Sequence, residues 1–97
     1  MPTFISYLNW TDQGIRNVKS GPDRVEAAIA VVKDLGGELK DFYLTTGQYD
    51  FLLIADLPDA EVMAKFDLAL AMQGNVRTTT VRAFTEAEYI SIIDDLP

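Results

Sequence analysis

The 97-residue sequence contains no cysteine and no histidine. Their absence excludes disulfides, thiolate nucleophiles, catalytic Ser-His and Cys-His pairs, His-ligated haem and ordinary zinc sites. No run of Asp and Glu has the spacing of a calcium-binding loop. We therefore expect neither a metal site nor a cofactor, and the lack of cysteine is compatible with a reducing compartment.

Basic residues are also scarce, and long hydrophobic runs are missing. Lys and Arg number 8 against 15 Asp and Glu, which leaves a net charge of -7. Such a negative field repels phosphate backbones, so a nucleic-acid partner is not expected. No apolar run is long enough for a membrane span, and no basic segment precedes an apolar stretch as in a signal peptide. These absences predict a cytoplasmic protein without a membrane partner.

What the chain does have is apolar surface to bury. Its composition is 48% hydrophobic and 10% aromatic, which predicts a folded protein. Its length predicts one domain over residues 1–97. The core of so small a domain is thin, and such domains often cover an apolar sheet face by oligomerising.

The first predicted strand is apolar on both faces. The segment "TFISYLN" (3–9) places Phe4 and Leu8 on one face and Ile5 and Tyr7 on the other. A strand of this kind belongs in the middle of a sheet that is covered on both sides.

The remaining elements follow from turn and capping signals. "ELKDFYLTT" and "YDFLLIADL" predict an antiparallel hairpin around Gly47, and "VRTTTVRAF" (76–84) predicts a fourth strand. A helix is predicted over 23–37, and Asp59 is placed to cap a second helix. The capping box "TEAE" (85–88) begins a short terminal helix. The apolar residues of that helix predict a buried edge, formed by Tyr89, Ile92, Ile93 and Leu96.

The order of elements is therefore β-α-β-β-α-β with a terminal helix. With right-handed crossovers, this order gives an α+β, ferredoxin-like fold in which both helices cover one face of a four-stranded antiparallel sheet. The other face needs a cover. A second copy of the same sheet is the simplest one, which would make the protein at least a homodimer.

Three segments resemble the GYD-domain family. They are "WTDQGI" after the first strand, "GQYD" at the hairpin and "GNVRTTTVRAF" before the last helix. The similarity spans essentially the whole chain. That family is similar to the dimeric α/β-barrel proteins, so the resemblance implies two sheets packed face to face around a central cavity. Relatives of that architecture include cofactor-free monooxygenases, muconolactone-isomerase-like enzymes and oligomerisation modules, so the resemblance leaves the function open.

Tyr49 and Asp50 are the first candidates for a functional role. Adjacent strand residues point to opposite faces, so the two are not expected to line one site equally. Asp50 can pin the hairpin by accepting N–H groups or Arg donors. Alternatively, Asp50 is a general base, or Tyr49 an acid, at the mouth of a cavity.

The fourth strand supplies a candidate cation. Arg82 shares a face with Thr80, and the more apolar Val81 suits the helix-packed side. Arg82 and Thr80 are therefore expected at the cavity or the dimer seam. There Arg82 can bind a carboxylate ligand, or pair with Asp50 or with an acid of a second subunit.

Aromatic residues suggest either a ligand wall or a dimer interface. Tyr7, Asn9 and Trp10 lie close together at the end of the first strand, and Tyr43 lies on the second. Small apolar ligands and dimer interfaces both use such residues.

The amino terminus offers one further catalytic candidate. "PTFISYL" resembles the start of tautomerase-family proteins, in which an amino-terminal proline is the general base, so Pro2 is a candidate if Met1 is removed. Those proteins lack the tight hairpin predicted here.

Three functions remain open at this level. The first is a small homo-oligomeric binding or regulatory module with an inter-sheet cavity for a small apolar ligand, which could also carry a carboxylate. The second is a cofactor-independent isomerase or monooxygenase that uses the same cavity. The third is a structural assembly unit without a ligand.

Overall fold

Four strands form one antiparallel sheet, and the computed structural model describes all 97 residues. The strands are β1 (Thr3–Trp10), β2 (Glu38–Leu44), β3 (Phe51–Asp56) and β4 (Val76–Ala83). The helices are α1 (Asp12–Arg16), α2 (Gly21–Asp34), α3 (Ala60–Met72) and α4 (Glu86–Asp94), with a 3-10 turn at Val18–Ser20 before α2. The strand order is β2-β3-β1-β4. This topology, with α2 and α3 as the crossover helices, confirms the ferredoxin-like fold class.

Side-chain caps begin three of the helices, and those of α3 and α4 are the ones that the sequence predicts. The Thr11 hydroxyl accepts the Gly14 N–H at the start of α1, and the Asp59 carboxylate accepts the Val62 N–H at 2.9 Å in α3. Both hydrogen bonds of the 85–88 capping box are present at the start of α4. Helix α2 begins two residues earlier than predicted and its last helical residue is Asp34, after which Gly36, with a φ of +85°, closes its end.

The core lies between one face of the sheet and helices α2 and α3. Alternate residues of β1 point into it, so Phe4 and Leu8 are buried while Ile5 and Tyr7 are not. The rest of the core comes from β3, β4 and the two helices. Its buried apolar residues are Phe4, Leu8, Ala28, Val32, Leu53, Ala55, Leu57, Met63, Phe66 and Val76.

The opposite face of the sheet, here called the free face, has no helix on it. Its centre is apolar because the register aligns Ile5 with Ile54 of β3 and with Val81 of β4. Val81 is 45% exposed. The two-sided apolar pattern of the sequence is therefore real, and a single chain covers only one side of it.

Helix α4 contradicts its prediction. Tyr89, Ile92, Ile93 and Leu96 were expected to form a buried edge, yet each is at least 46% exposed and no residue of α4 is buried. An apolar stripe predicts that another surface packs against the helix, but that surface can belong to a different chain. These four residues add to the apolar surface that one chain leaves exposed.

The β2–β3 connection is longer than predicted and depends on Gly47. It spans 45–50, so Tyr49 and Asp50 lie in the loop rather than in β3. Gly47 has a φ of +107°, which side-chain-bearing residues rarely adopt. A Cβ at this position would meet no atom within 4 Å, so any penalty comes from the backbone alone.

We expect Gly47→Val to destabilise the fold by about 1–3 kcal/mol, because a β-branched residue is strained at positive φ. Gln48→Ala, at the next exposed position of the loop, is the matched control and should change stability little. Thermal unfolding of the two variants tests this. Equal melting temperatures would show that Gly47 is an ordinary loop residue.

Candidate functional site

Asp50 ties the hairpin loop to the end of β1. One oxygen of its carboxylate, Oδ2, accepts the Trp10 backbone N–H at 2.9 Å, and its own N–H donates to the Leu8 carbonyl at 3.0 Å. The Thr45 N–H closes the loop by donating to the Asp50 carbonyl at 2.8 Å. Asp50 therefore makes the contacts of a structural anchor, as one of the two sequence interpretations expected.

The "WTDQGI" segment continues this network to the start of β4. The Thr11 N–H donates to the Asn75 carbonyl at 3.0 Å, and the Thr11 hydroxyl donates to the Gly74 carbonyl at 2.5 Å. Gly14 packs so closely that a Cβ there would lie 1.9 Å from the Asn75 oxygen. A larger residue at position 14 would push the two segments apart.

The three segments that carry the family resemblance thus meet at one end of the sheet. We call this hydrogen-bonded set, formed by 10–14, 45–50 and 73–75, the motif cluster. The sequence indicates each segment but not their contact, because they lie far apart along the chain. Their contact gives the three segments a common role, because it holds the loops at that end of the sheet together.

Beside the motif cluster, polar and aromatic side chains gather on the free face. The rings of Tyr7 and Tyr49 lie 4.8 Å apart between centroids. Tyr43 is placed on the same face through the β2–β3–β1 register, and Asn9 is paired with Arg77 of β4. We call these five residues the tyrosine patch.

Trp10 does not belong to this patch. It follows Tyr7 by an odd number of residues, so strand alternation turns it to the helix side. There its ring lies 5.2 Å from that of Phe51, which in turn lies 5.4 Å from that of Phe42. The structure therefore separates Trp10 from Tyr7 and Asn9, although the three are close in sequence.

The prediction that Arg82 and Thr80 face the cavity or the dimer seam is also wrong. The register pairs Arg82 with Phe4 and Thr80 with Ser6, and both partners face the helices. The sequence interpretation assigned Val81 to the helix side because it is apolar. Since both faces of this sheet are apolar, that criterion could not distinguish them.

Arg82 pairs with an acid, although not with Asp50. Its Nη2 lies 3.4 Å from Oε2 of Glu88, and its guanidinium lies 4.3 Å from the centre of the Phe84 ring. The pKa of Glu88 is lowered, first by the Thr85 backbone N–H and to a smaller extent by Arg82. Arg82 therefore connects β4 to the first turn of α4.

A buried polar group on the helix side was missed in the sequence. The hydroxyls of Ser6 and Thr80 lie 2.7 Å apart, and the Ser6 hydroxyl donates to the Asp67 carboxylate of α3 at 3.4 Å. Ser6 is fully buried. A serine between Phe4 and Leu8 on the core face was the available signal, because a buried hydroxyl needs a partner.

Burial raises the pKa of Asp67 above its ordinary value of 3.8, and the hydroxyls of Thr80 and Ser6 partly offset this rise. Desolvation disfavours the charged carboxylate, so the folded state binds a proton more readily than the unfolded state. The contribution of Asp67 to stability is therefore most favourable below about pH 3.8 and declines as the pH rises through the folded-state pKa.

We expect Asp67→Asn to be as stable as the wild type, or more stable by no more than about 1 kcal/mol, at pH 7, because the carboxylate is only partly buried. The difference should vanish near pH 3, where the wild-type carboxyl is neutral. Thermal unfolding of both proteins from pH 3 to pH 8 measures it. If the variant were less stable than the wild type at pH 7 but equally stable at pH 3, the predicted direction of the stability difference would be wrong.

A second experiment tests the anchor role of Asp50. Asp50→Asn should cost about 1–2 kcal/mol, because a neutral amide accepts the Trp10 N–H less strongly than a carboxylate does. Arg82 is paired with Phe4, six residues and about 20 Å along β1 from Trp10. The effects of Asp50→Asn and Arg82→Gln should therefore add to within about 0.5 kcal/mol. Denaturant unfolding of the single and double variants would contradict this if it showed strong coupling.

The structure shows no active-site arrangement around the residues that the sequence offered as catalytic candidates. The Pro2 carbonyl accepts the Leu57 N–H at 3.1 Å. Catalysis by Pro2, Tyr49 or Asp50 stays a prediction.

No group of three or more acidic side chains is arranged to hold a metal ion. None of the helices has the length and apolar character needed to cross a membrane.

Comparison with known proteins identifies the family. The family model described as GYD domain matches residues 4–93, and the chain belongs to that family. A Thermus thermophilus protein named as a glutamine synthetase and cystathionine beta-lyase binding protein is 34% identical over 92 residues. The match covers 94% of this chain and 97% of that protein.

Solved structures support the fold alone. The leucine response regulatory protein of Mycobacterium tuberculosis has a TM-score of 0.57 at 14% identity; the match covers 87% of this chain and 51% of that one, about half its length. A solved structure of a protein from Thermus thermophilus has a TM-score of 0.54 at 24% identity, with 88% of this chain and 95% of that one covered.

Proposed function

We propose that this chain is a homo-oligomeric binding or regulatory module whose free face closes against a second copy. The observation that carries the proposal is the apolar centre of that face, formed by Ile5, Ile54 and Val81 and left without a cover. Strands that are apolar on both faces are characteristic of sheets covered on both sides. A second sheet supplies such a cover at the usual spacing of about 10 Å.

The tyrosine patch supports an inter-sheet cavity at one end of this interface. Tyr43 is 54% exposed, and Arg77 makes no ion pair within the chain. Aromatic walls with one cation suit a small apolar ligand that carries a carboxylate. In this proposal, Arg77 takes the place that the sequence interpretation gave to Arg82.

The relative supports a role in binding other proteins. A protein that is 34% identical over nearly its whole length is named for binding glutamine synthetase and cystathionine beta-lyase. We extend to this chain the general property of binding other proteins, and we propose with it the cytoplasmic location expected from the sequence. The exposed apolar residues of α4 offer additional surface for such contacts.

The wild-type protein should be larger than one 10.8 kDa chain at micromolar concentration. Val81→Lys should shift it toward the monomer, because the interface would have to bury an unpaired charge. Ile29→Lys is the matched control, since Ile29 is similarly exposed (41%) but lies on α2. It should leave the assembly intact.

Size-exclusion chromatography with light scattering distinguishes these outcomes. A wild type that is monomeric at micromolar concentration would contradict the proposal. So would an assembly that both variants disturb equally, because the contact would then not be specific to the free face.

A further inference from the structure

Helix α4 is the least supported element of the chain. None of its residues is buried, and the Arg82–Glu88 pair is the only ion pair or side-chain hydrogen bond that joins it to the sheet. It has nine residues, whereas isolated helices shorter than about 12–15 residues are marginal in water. The Cα radius of gyration is 14.6 Å, compared with about 12.5 Å for a compact chain of this length, which agrees with a helix that stands away from the body. Helix α4 therefore needs another surface to pack against.

The chain does not supply that surface itself. Arg82 faces the helix side of the sheet, because the register pairs it with the buried Phe4. The Arg82–Glu88 pair therefore holds the first turn of α4 toward the helix side, where the apolar residues of α4 remain exposed. Folding α4 over the free face of its own chain would break this pair. The cover must therefore come from another molecule.

The free face, for its part, has too few residues to form a standard interface alone. Its strands contain 8, 7, 6 and 8 residues, and alternation places about half of them, roughly 14, on that face. Standard interfaces use about 20–30 residues on each side. The exposed apolar residues at α4 would bring the total to about 20, so one second copy can satisfy both surfaces. They are Phe84, Tyr89, Ile90, Ile92, Ile93 and Leu96.

Helix α4 and the tyrosine patch lie at opposite ends of the sheet. In β4, Arg77 is paired with Asn9 at the tyrosine patch, and Ala83 is paired with Thr3 about 20 Å away. Because α4 begins three residues after Ala83, it belongs to the end without the patch. A single chain therefore cannot bring its own α4 to its own patch.

The charges of the two ends favour one orientation of the copies. Two sheets packed face to face can place either like ends or opposite ends of β4 together. Helix α4 and its C-cap carry only acids, whereas Arg77 makes no ion pair within the chain. Opposite ends bring the acidic helix of one copy to the free cation of the other, while like ends gather the acids of both helices at one end. The acids are Glu86, Glu88, Asp94 and Asp95.

We propose that α4 of one copy closes the tyrosine patch of a second copy, with its apolar residues against Tyr7 and Tyr49 and its acids facing Arg77. This inference rests on the proposed function, in which the free faces pair. It adds that each inter-sheet cavity is incomplete without the partner's α4. The acids of that helix are then the counter-charge of Arg77 while no ligand carboxylate is bound.

A spin label on α4 locates this contact, since the chain has no cysteine and one introduced thiol takes the label. A chain with a nitroxide at Ser91→Cys, an exposed position of α4, is refolded together with isotope-labelled wild type. Broadening of amide signals on the isotope-labelled chain then comes only from its partner. We expect the strongest broadening at Asn9 and Arg77. The same label at Ala30→Cys, an exposed position of α2, is the control and should not single out these two amides.

Charge reversal tests the same contact without a label. Arg77→Glu should raise the dissociation constant of the assembly at least about tenfold, because it places an acid opposite the acids of α4. Lys33→Glu, at an exposed position of α2, changes the net charge by the same amount and is the matched control. It should change the dissociation constant by less than about twofold, since salt screens charges far from the interface. Light scattering across protein concentrations measures both.

The outcomes separate this inference from the proposed function. A wild type that stays monomeric would contradict the proposed function, and this inference with it. If the assembly forms and Val81→Lys disrupts it, but broadening is absent or strongest at Thr3 and Ala83, then the free faces pair and only the role of α4 is wrong. Equal effects of Arg77→Glu and Lys33→Glu would likewise overturn the contact between α4 and the patch.

Discussion

The central strands β1 and β3 are apolar on both faces, whereas the two crossover helices cover only one of them. The crossover helices lie on the other face, and helix α4, which has no buried residue, does not cover the free face either. The core on the helix side gives the fold its stability. The free face then remains as apolar surface that association with a second sheet would remove from water.

The motif cluster maintains the geometry of one end of this sheet. Asp50 fixes the hairpin loop to Trp10, and Thr11 fixes the next loop to Gly74 and Asn75. Because Tyr49 directly precedes Asp50, the same anchor places its ring against Tyr7 on the free face. The residues that resemble the family signature thus position the proposed binding surface, even though several of them are not part of it.

Much of this structure could be predicted from local patterns, and the failures share a physical cause. Caps such as Asp59 and the positive φ of Gly47 are local, so the sequence alone indicates them. The face of Arg82 depends on strand register, which apolar content cannot reveal when both faces are apolar. The Ser6–Asp67 contact depends on an element distant in sequence, and the exposure of α4 depends on whether another element of the chain lies against it.

The central claim is that the free face is covered in solution. Since the chain has no cysteine, one introduced thiol reports its own surroundings. Thr79→Cys lies on the free face, and Ala30→Cys lies on an exposed position of α2. The rate of maleimide labelling, measured across protein concentrations, tests the claim. We expect the thiol at position 79 to become protected as the protein concentration rises, while that at position 30 reacts rapidly throughout. Equal and concentration-independent rates at both positions would contradict the account.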